Sequence, residues 1–558
     1  MSSEHKISKR QSLPEVSAST SDLSGNRTGD WSFFAPVHTD RVAPCAVKCP
    51  LKVPVNSYMH MVGKGQHQQA WQTLAAANPL PSVTGRVCYH DCESGCNRAE
   101  FDEALNIHGV ERFLGDTAVE KGWDLAVPPS DAAPAPVAVL GSGPAGLGCA
   151  YSLRLAGYPV EIFERETSPG GMLRVGVPEF RMPRKLLDAE LTRLERIGIR
   201  FRCGENVDDV ERISSQVMGV FLASGAHGSR DAGVAGADLE GVHFGLDYLK
   251  AYNGGKPHDT GGRVAVIGGG NTSLDVARAS RRLGARVDLY YRRTEAEMPA
   301  HPEELEEARA EGVQFHFQVA PEELLAADGT HRVASVRLIR MEQGQPDESG
   351  RARPVPVAGS EFEVEASTVV FAIGEQPELD YLKNSGASIG GRLAVDAFGR
   401  TSIPGVFAGG DLVPGENSVS HALADGIAAG RNMAAMLQSF GPENIKKALD
   451  DGDPAGKVNF DHFTRALRIE PARSLNGDPR GVDETSATLD DAAARSEADR
   501  CFNCGSCTDC DTCLVFCPDL AIYCREGSYL VRTDYCKGCG ICAEECPRGV
   551  ISMERKDK

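Results

Sequence analysis

No stretch of this 558-residue chain holds the roughly 18 consecutive apolar residues of a transmembrane helix, so none is expected. Positive charge is also scarce: 59 Lys and Arg stand against 78 Asp and Glu, a formal net charge of −19. Nucleic acid and anionic membranes repel such a chain, and both are set aside as partners. Residues 1–30 lack the apolar core of a secretory signal; rich in Ser and polar groups, they read as a disordered leader. Disulfide frameworks belong to short secreted chains, which this is not. Its 18 cysteines therefore need another use. Many fall in C-x-x-C runs, some followed by Pro, the pattern of thiolates on metal or iron–sulfur clusters in a reducing cytoplasm.

The length asks for two to four domains, and 41% apolar residues with 60 glycines suit a multi-domain α/β protein. Residues 31–125 carry Cys45, Cys49, Cys88, Cys92 and Cys96 among helical-looking stretches, and a Pro/Ala linker follows. The text "VAVLGSGPAGLGCAYSLRLAG" then reads as strand, glycine turn and helix. "RVAVIGGGNTSLDVARASRRLG" repeats that order 127 residues later. The expected division is a helical iron–sulfur domain (31–125) and a discontinuous Rossmann-like dinucleotide-binding domain (136–250 and 375–440) around a second one (251–374). A connector (441–495) and a ferredoxin-like α+β domain (496–558) complete it.

In the first turn, Gly141, Gly143 and Gly146 flank Pro144 and Ala145. Glycines there let the backbone approach a pyrophosphate at the helix N-terminus. The next strand ends in Glu164, 23 residues after Gly141, where a carboxylate can accept from ribose hydroxyls. In the second turn Gly268 and Gly270 precede Asn271, Thr272 and Ser273. By count Tyr291 replaces the acid there, and Arg292 and Arg293 follow. A carboxylate would repel a 2′-phosphate and a guanidinium can fork onto it, so this site is expected to prefer NADP(H).

The tail carries Cys507, Cys510, Cys513 and Cys517, then Cys536, Cys539, Cys542 and Cys546, in two C-x-x-C-x-x-C-x-x-x-C-P runs. This is the two-cluster ferredoxin pattern, in which the fourth Cys of each run serves the other cluster. Cys507, Cys510 and Cys513 therefore pair with Cys546, and Cys536, Cys539 and Cys542 with Cys517.

The segment "TSIPGVFAGGDL" resembles the second fingerprint of flavoprotein disulfide-reductase-like folds, which implies that Gly410 and Asp411 hold the flavin ribityl chain. "NPLPSVTGRVCYHDCESGC", "GGMLRVGVPEFRMPR", "GGGNTSLDVAR", "YRRTEAEMPA" and "HALADGIAAG" extend the likeness over roughly residues 40–440. Together they resemble the small (β) subunit of NADPH-dependent glutamate synthase and its relatives, dihydropyrimidine dehydrogenase and electron-bifurcating transhydrogenases among them. The ferredoxin tail is an addition to the glutamate synthase plan. The resemblance implies FAD on the first turn, with Gly171, Met172 and Leu173 beside it, and NADP(H) on the second. It also implies one cluster on Cys49, Cys88, Cys92 and Glu111.

The family's other cluster uses an upstream C-x-x-C plus the positions of Cys45 and Cys96, but this sequence has no cysteine before Cys45. The family's upstream text, "EAxRCxxC", occurs instead at 497–504 as "EADRCFNC". Cys501 and Cys504 are therefore expected to close that cluster, and a connector of extended reach, about 3.3 Å per residue, is long enough. Four [4Fe-4S] clusters then use fifteen cysteines and leave Cys149, Cys203 and Cys524.

Flavin is the standard converter between two-electron hydride and single electrons. The expected activity is FAD-dependent electron transfer between NADP(H) and ferredoxin or a partner subunit, in a cytoplasmic hetero-oligomeric complex, with no protein acid–base residue at the hydride step. Two alternatives stay open: an electron-supplying subunit of a glutamate synthase or 2-oxoacid oxidoreductase, or a tail whose clusters are structural and act in docking.

Overall fold

The computed structural model describes residues 32–126, 135–346, 351–383, 385–387, 390–438, 453–473, 481 and 483–556. The leader assigned to residues 1–30, and parts of the Pro/Ala linker and of the connector, lie outside these.

Two five-stranded parallel sheets form the centre. In the first, Val137–Leu140 lies between Val160–Glu164 and Val220–Leu222, with Ile199–Cys203 and Val406–Ala408 at the edges. Every residue of "VAVL" is buried, as a strand covered by helices on both faces requires. In the second, Arg263–Ile267 lies between Arg286–Tyr291 and Thr368–Phe371, with Gln314–Phe317 and Val242–Phe244 outside. Both central strands run into a glycine turn and a helix, Pro144–Leu155 and Asn271–Arg282. In open parallel sheets ligands bind beyond the carboxyl ends of the strands, where these turns stand.

An antiparallel sheet that periodicity did not disclose is inserted into the domain of the second parallel sheet. Val333–Pro346 pairs with Val319–Ala326, Ala352–Pro356 and Phe362–Glu365.

The N-terminal helices do not form a separate core. Tyr58, Trp71, Leu74 and Leu114 join one buried cluster with Leu147, Tyr151 and Leu187 of the domain of the first parallel sheet. Across that junction the Tyr151 hydroxyl donates to the Ala75 carbonyl at 2.9 Å, and the Ser82 amide donates to Glu190 at 3.0 Å.

One element from each end of the chain crosses the expected division. Phe34–His38, assigned above to the helical domain, is a strand paired antiparallel with Ile551–Arg555 of the ferredoxin-like tail. A lone five-residue strand leaves its backbone groups unpaired, and the tail's last strand supplies the partners. The helix Asp491–Asp499 crosses the expected boundary at 496 and packs against Val55–Gly63, burying Ala494 and Ala498 in the N-terminal core. Between them the described part of the connector lies along the iron–sulfur domain: Arg86 and Arg112 both pair with Glu484, and Arg468 pairs with Glu93.

Candidate functional site

A cavity of about 660 Å³ opens at the carboxyl end of the first sheet. Gly141, Gly143, Pro144, Ala145, Glu164 and Asp411 line it, as do Gly171 and Met172. Gly141 has φ +109°, and a Cβ there would sit 2.4 Å from the Ala223 carbonyl oxygen, so only glycine makes the turn. Open space faces Gly143, where the approach to a pyrophosphate is expected. Gly146 does not reach the cavity; it lets the helix close onto the Gly141 carbonyl, 2.0 Å from where a Cβ would stand. Leu173 is fully buried in the core behind the cavity. Gly410 has φ +69° and brings Asp411 to the wall.

Asp411 Oδ1 is buried without a hydrogen-bond partner. Burial also raises the carboxyl's pKa, with Asp425 adding to it. A cavity wall that leaves a buried acceptor unpartnered fits a hydroxyl-bearing ligand, as the FAD ribityl chain is. Glu164 is 5% exposed and already ties the turn together: Oε2 accepts from the Ser142 amide at 3.0 Å and from the Ser142 hydroxyl. Oε1 accepts from the Glu166 amide at 2.9 Å.

At the second turn Gly268 has φ +152° and Gly270 faces open space. Tyr291 lies against the turn, its ring 2.4 Å from where a Gly269 Cβ would stand. Arg292 and Arg293 both follow the strand end at Tyr291. Arg292 is exposed, whereas Arg293 is buried and donates from Nε to the Ala352 carbonyl at 3.1 Å. Of the two, Arg292 is the cation open to a phosphate. Asn271 turns its side-chain oxygen to the His301 amide at 2.9 Å, and Thr272 hydrogen-bonds Glu375.

The metal-ligating candidates gather in four groups. Burial raises the Cys45 thiol well above its ordinary value, and Cys501, Cys96 and Cys504 raise it further. Cys501 and Cys504 are pushed up to about 12 and about 11 by burial, with Cys96 adding to both. Thiols separated by more than four hundred residues in sequence thus face one another. Cys49, Cys88, Cys92 and Glu111 form the second group, each cysteine raised by burial and by Glu111. Glu111 itself is raised to about 7 by burial; Thr84 and Asn78 both donate to its Oε1. In the tail, burial raises Cys513, with Cys510, Cys546 and Cys507 adding. Cys542 is raised to about 12 by burial, with Cys517, Cys536 and Cys539 adding.

Backbone conformation repeats across these loops. Asn503, Asp509 and Gly538, each just before the second cysteine of a C-x-x-C pair, are left-handed at φ 51°, 53° and 73°. The Asn503 amide donates to Cys501 Sγ at 3.4 Å. His90, at φ 60°, donates likewise to Cys88 Sγ at 3.4 Å. Left-handed non-glycine residues cost free energy and persist where surroundings require them. Cys501 and Cys504 thus sit in a loop built as the ferredoxin loops are. Sulfur held by several thiol neighbours and amide donors is the donor set of an iron–sulfur cluster.

His90, Glu93 and His108 bring their ligand atoms within 4.8 Å, yet they suit a cation poorly. Glu93 already pairs with His108 at 2.8 Å and Arg468 at 2.7 Å, and the two imidazoles stack at 3.6 Å.

Three family models match this chain. Residues 135–426 match the pyridine nucleotide-disulphide oxidoreductase model. The chain belongs to that family. Residues 40–123 match dihydropyrimidine dehydrogenase domain II with its 4Fe-4S cluster, and 529–552 match a 4Fe-4S binding domain. The beta subunit of the NADP(+)-dependent formate dehydrogenase of Moorella thermoacetica is 36% identical over 501 residues, 83% of this chain and 70% of that protein. The NADPH-Fe(3+) oxidoreductase beta subunit of Geobacter sulfurreducens is 35% identical over 508 residues, 83% and 75%. The small chain of glutamate synthase [NADPH] of Halomonas elongata is 35% identical over 416 residues, 70% and 88%. This pyridine nucleotide-disulphide oxidoreductase is therefore an FAD and NADPH oxidoreductase carrying 4Fe-4S domains, related to the glutamate synthase small subunit.

Sequence reasoning missed several residues of this oxidoreductase. His227 lines the same cavity with Nδ1 buried and unpartnered, and burial lowers its pKa to about 4. Tyr381, also on the wall, hydrogen-bonds Ser224 at 3.0 Å. Phe180 and Arg181 leave the domain of the first parallel sheet and pack into that of the second. Phe180 lies under the guanidinium of Arg282 at 3.7 Å, and Arg181 pairs with buried Asp275 at 2.8 Å. Their text, "VPEFRMPR", has no periodicity that marks a plug; two arginines four apart in Asn271–Arg282 were the one available signal.

Proposed function

We propose that this oxidoreductase exchanges electrons between NADP(H) and a redox partner subunit or ferredoxin through four [4Fe-4S] clusters, as one subunit of a cytoplasmic hetero-oligomer. The observation that carries this reading is the convergence of Cys501 and Cys504 on Cys45 and Cys96, four thiols that would make a fourth ligand set from two ends of the chain. The printed names of the Moorella and Geobacter relatives, both beta subunits of NADP(H) enzymes, support the partner and the nucleotide.

FAD would be held by the Gly141–Gly146 turn, Glu164 and Asp411, and the nucleotide by the Gly268 turn and Arg292. The clusters would be held by Cys45, Cys96, Cys501 and Cys504; by Cys49, Cys88, Cys92 and Glu111; by Cys507, Cys510, Cys513 and Cys546; and by Cys536, Cys539, Cys542 and Cys517. Bound flavin supplies conversion between hydride and single electrons, and clusters carry electrons singly. The chain's own work is positional. Phe180 and Arg181 hold the two nucleotide domains at a fixed junction, and the shared core holds the N-terminal ligands against the flavin-binding helix. Buried thiols, amide donors and Asp411 set the polarity each group meets.

The test is composition. Purified anaerobically, the protein should carry one FAD and about sixteen irons, on the count of four cubanes. Iron near twelve removes one cluster from the reading, and iron near eight removes both N-terminal clusters.

A further inference from the structure

Arg548 follows Cys546 and Pro547 in the last cysteine motif. Its side chain spans two ligand loops. Nη1 donates to the carbonyl of Phe502, between Cys501 and Cys504, and Nε donates to the Thr508 hydroxyl, between Cys507 and Cys510, at 3.1 Å. Its own carbonyl accepts from the Gly505 amide at 2.7 Å, and the guanidinium stands 4.9 Å from the Phe463 ring centre.

The neighbouring arginines are neutralised: Arg98 pairs with Asp102 at 2.6 Å and Arg500 with Glu497 at 2.6 Å. Arg548 forms no ion pair with a carboxylate among the described residues. Burial works against its charge, and the ligand sulfurs of Cys510, Cys501, Cys504 and Cys546, drawn from both ligand sets, work for it.

We propose that Arg548 is a positioning residue between the Cys45/Cys96/Cys501/Cys504 cluster and the Cys507/Cys510/Cys513/Cys546 cluster, whose charge favours the reduced form of both. The proposal rests on the four-cluster reading. Reduction adds a negative charge, and a fixed cation at the junction lowers the cost of that charge on either side. Because both potentials rise together, the driving force between the clusters is preserved. The step served moves one electron: one cluster is oxidised as the other is reduced, with no bond or proton transferred. Arginine suits the place because its fork bonds both loops and it stays charged.

EPR-monitored redox titration of the full chain tests this, with Arg548→Gln and Arg548→Lys. R548Q keeps a donor for the Phe502 carbonyl but loses the charge. With sixteen irons retained, both flanking clusters should become about tenfold harder to reduce, which is about 59 mV for a one-electron couple. The other two clusters should stay where they were, and R548K should leave all four near wild type. Unmoved potentials in iron-replete R548Q, or a shift confined to one flanking cluster, overturn the role. Should R548Q lose iron, retention in R548K upholds the charge, and equal loss in R548K overturns it. A wild-type protein short of iron would fail the four-cluster reading instead, before any variant is compared.

Discussion

Asn56 donates from Nδ2 to the carbonyl of Cys504 at 3.0 Å, across 448 positions of sequence. The same amide donates to the Ser506 hydroxyl at 2.8 Å. Asn56 is buried on a helix of the iron–sulfur domain, so the tail loop that carries Cys501 and Cys504 is folded as part of that domain. The helix Asp491–Asp499 acts in the same direction: its buried Glu497 accepts from the Asn106 amide at 2.8 Å. What reads as the start of a ferredoxin tail is thus also the missing wall of the N-terminal domain.

Asp411→Ala should release FAD. The variant removes the buried acceptor at the cavity wall, and a hydrogen bond to a charged group is worth about 1.5–3 kcal/mol. FAD affinity should fall about ten- to a hundredfold, read by flavin released on gel filtration, with iron content unchanged. Full retention of FAD would reject the ribityl assignment.

Arg292→Ala should raise KM for NADPH about tenfold or more and leave KM for NADH within about twofold, because the lost contact is to the 2′-phosphate. Arg293→Ala should not discriminate, since Arg293 faces the Ala352 carbonyl. Equal effects of Arg292→Ala on both nucleotides would overturn the assignment.

The nucleotide turns were legible because their function dictates backbone: strand, glycine and helix recur in fixed order at Gly141 and Gly268. The thiol groups were legible because iron requires several ligands, and a shortage at Cys45 and Cys96 pointed to a surplus at Cys501 and Cys504. The strand at Phe34–His38 was not, because its partner, Ile551–Arg555, lies at the other end of the chain and no local pattern names it. Nor did the pair of arginines at 292 and 293 reveal that, in the bend beyond the strand end at Tyr291, one is exposed and the other buried.

Stability should depend on Glu190. This carboxyl is fully buried, accepts from the Ser82 amide and pairs with Arg193 at 2.7 Å; burial raises its pKa to about 7. A folded-state pKa above the unfolded value means that the folded chain holds the proton more tightly. The contribution is complete below about pH 4.5 and is lost as pH rises through 7. Glu190→Gln should flatten that part of the profile, read as the urea midpoint of flavin release between pH 5 and 8. An unchanged slope would remove Glu190 as its source.

The most direct test is the EPR spectrum of Cys45→Ser beside that of Cys501→Ser, each as the full reduced chain. The two residues lie at opposite ends of the sequence and face one another in the fold. Each substitution should delete the same cluster signal and leave both ferredoxin-type clusters reducible. Deletion of different signals, or loss of a ferredoxin-type signal in Cys501→Ser alone, would contradict a cluster shared between the two ends of the chain.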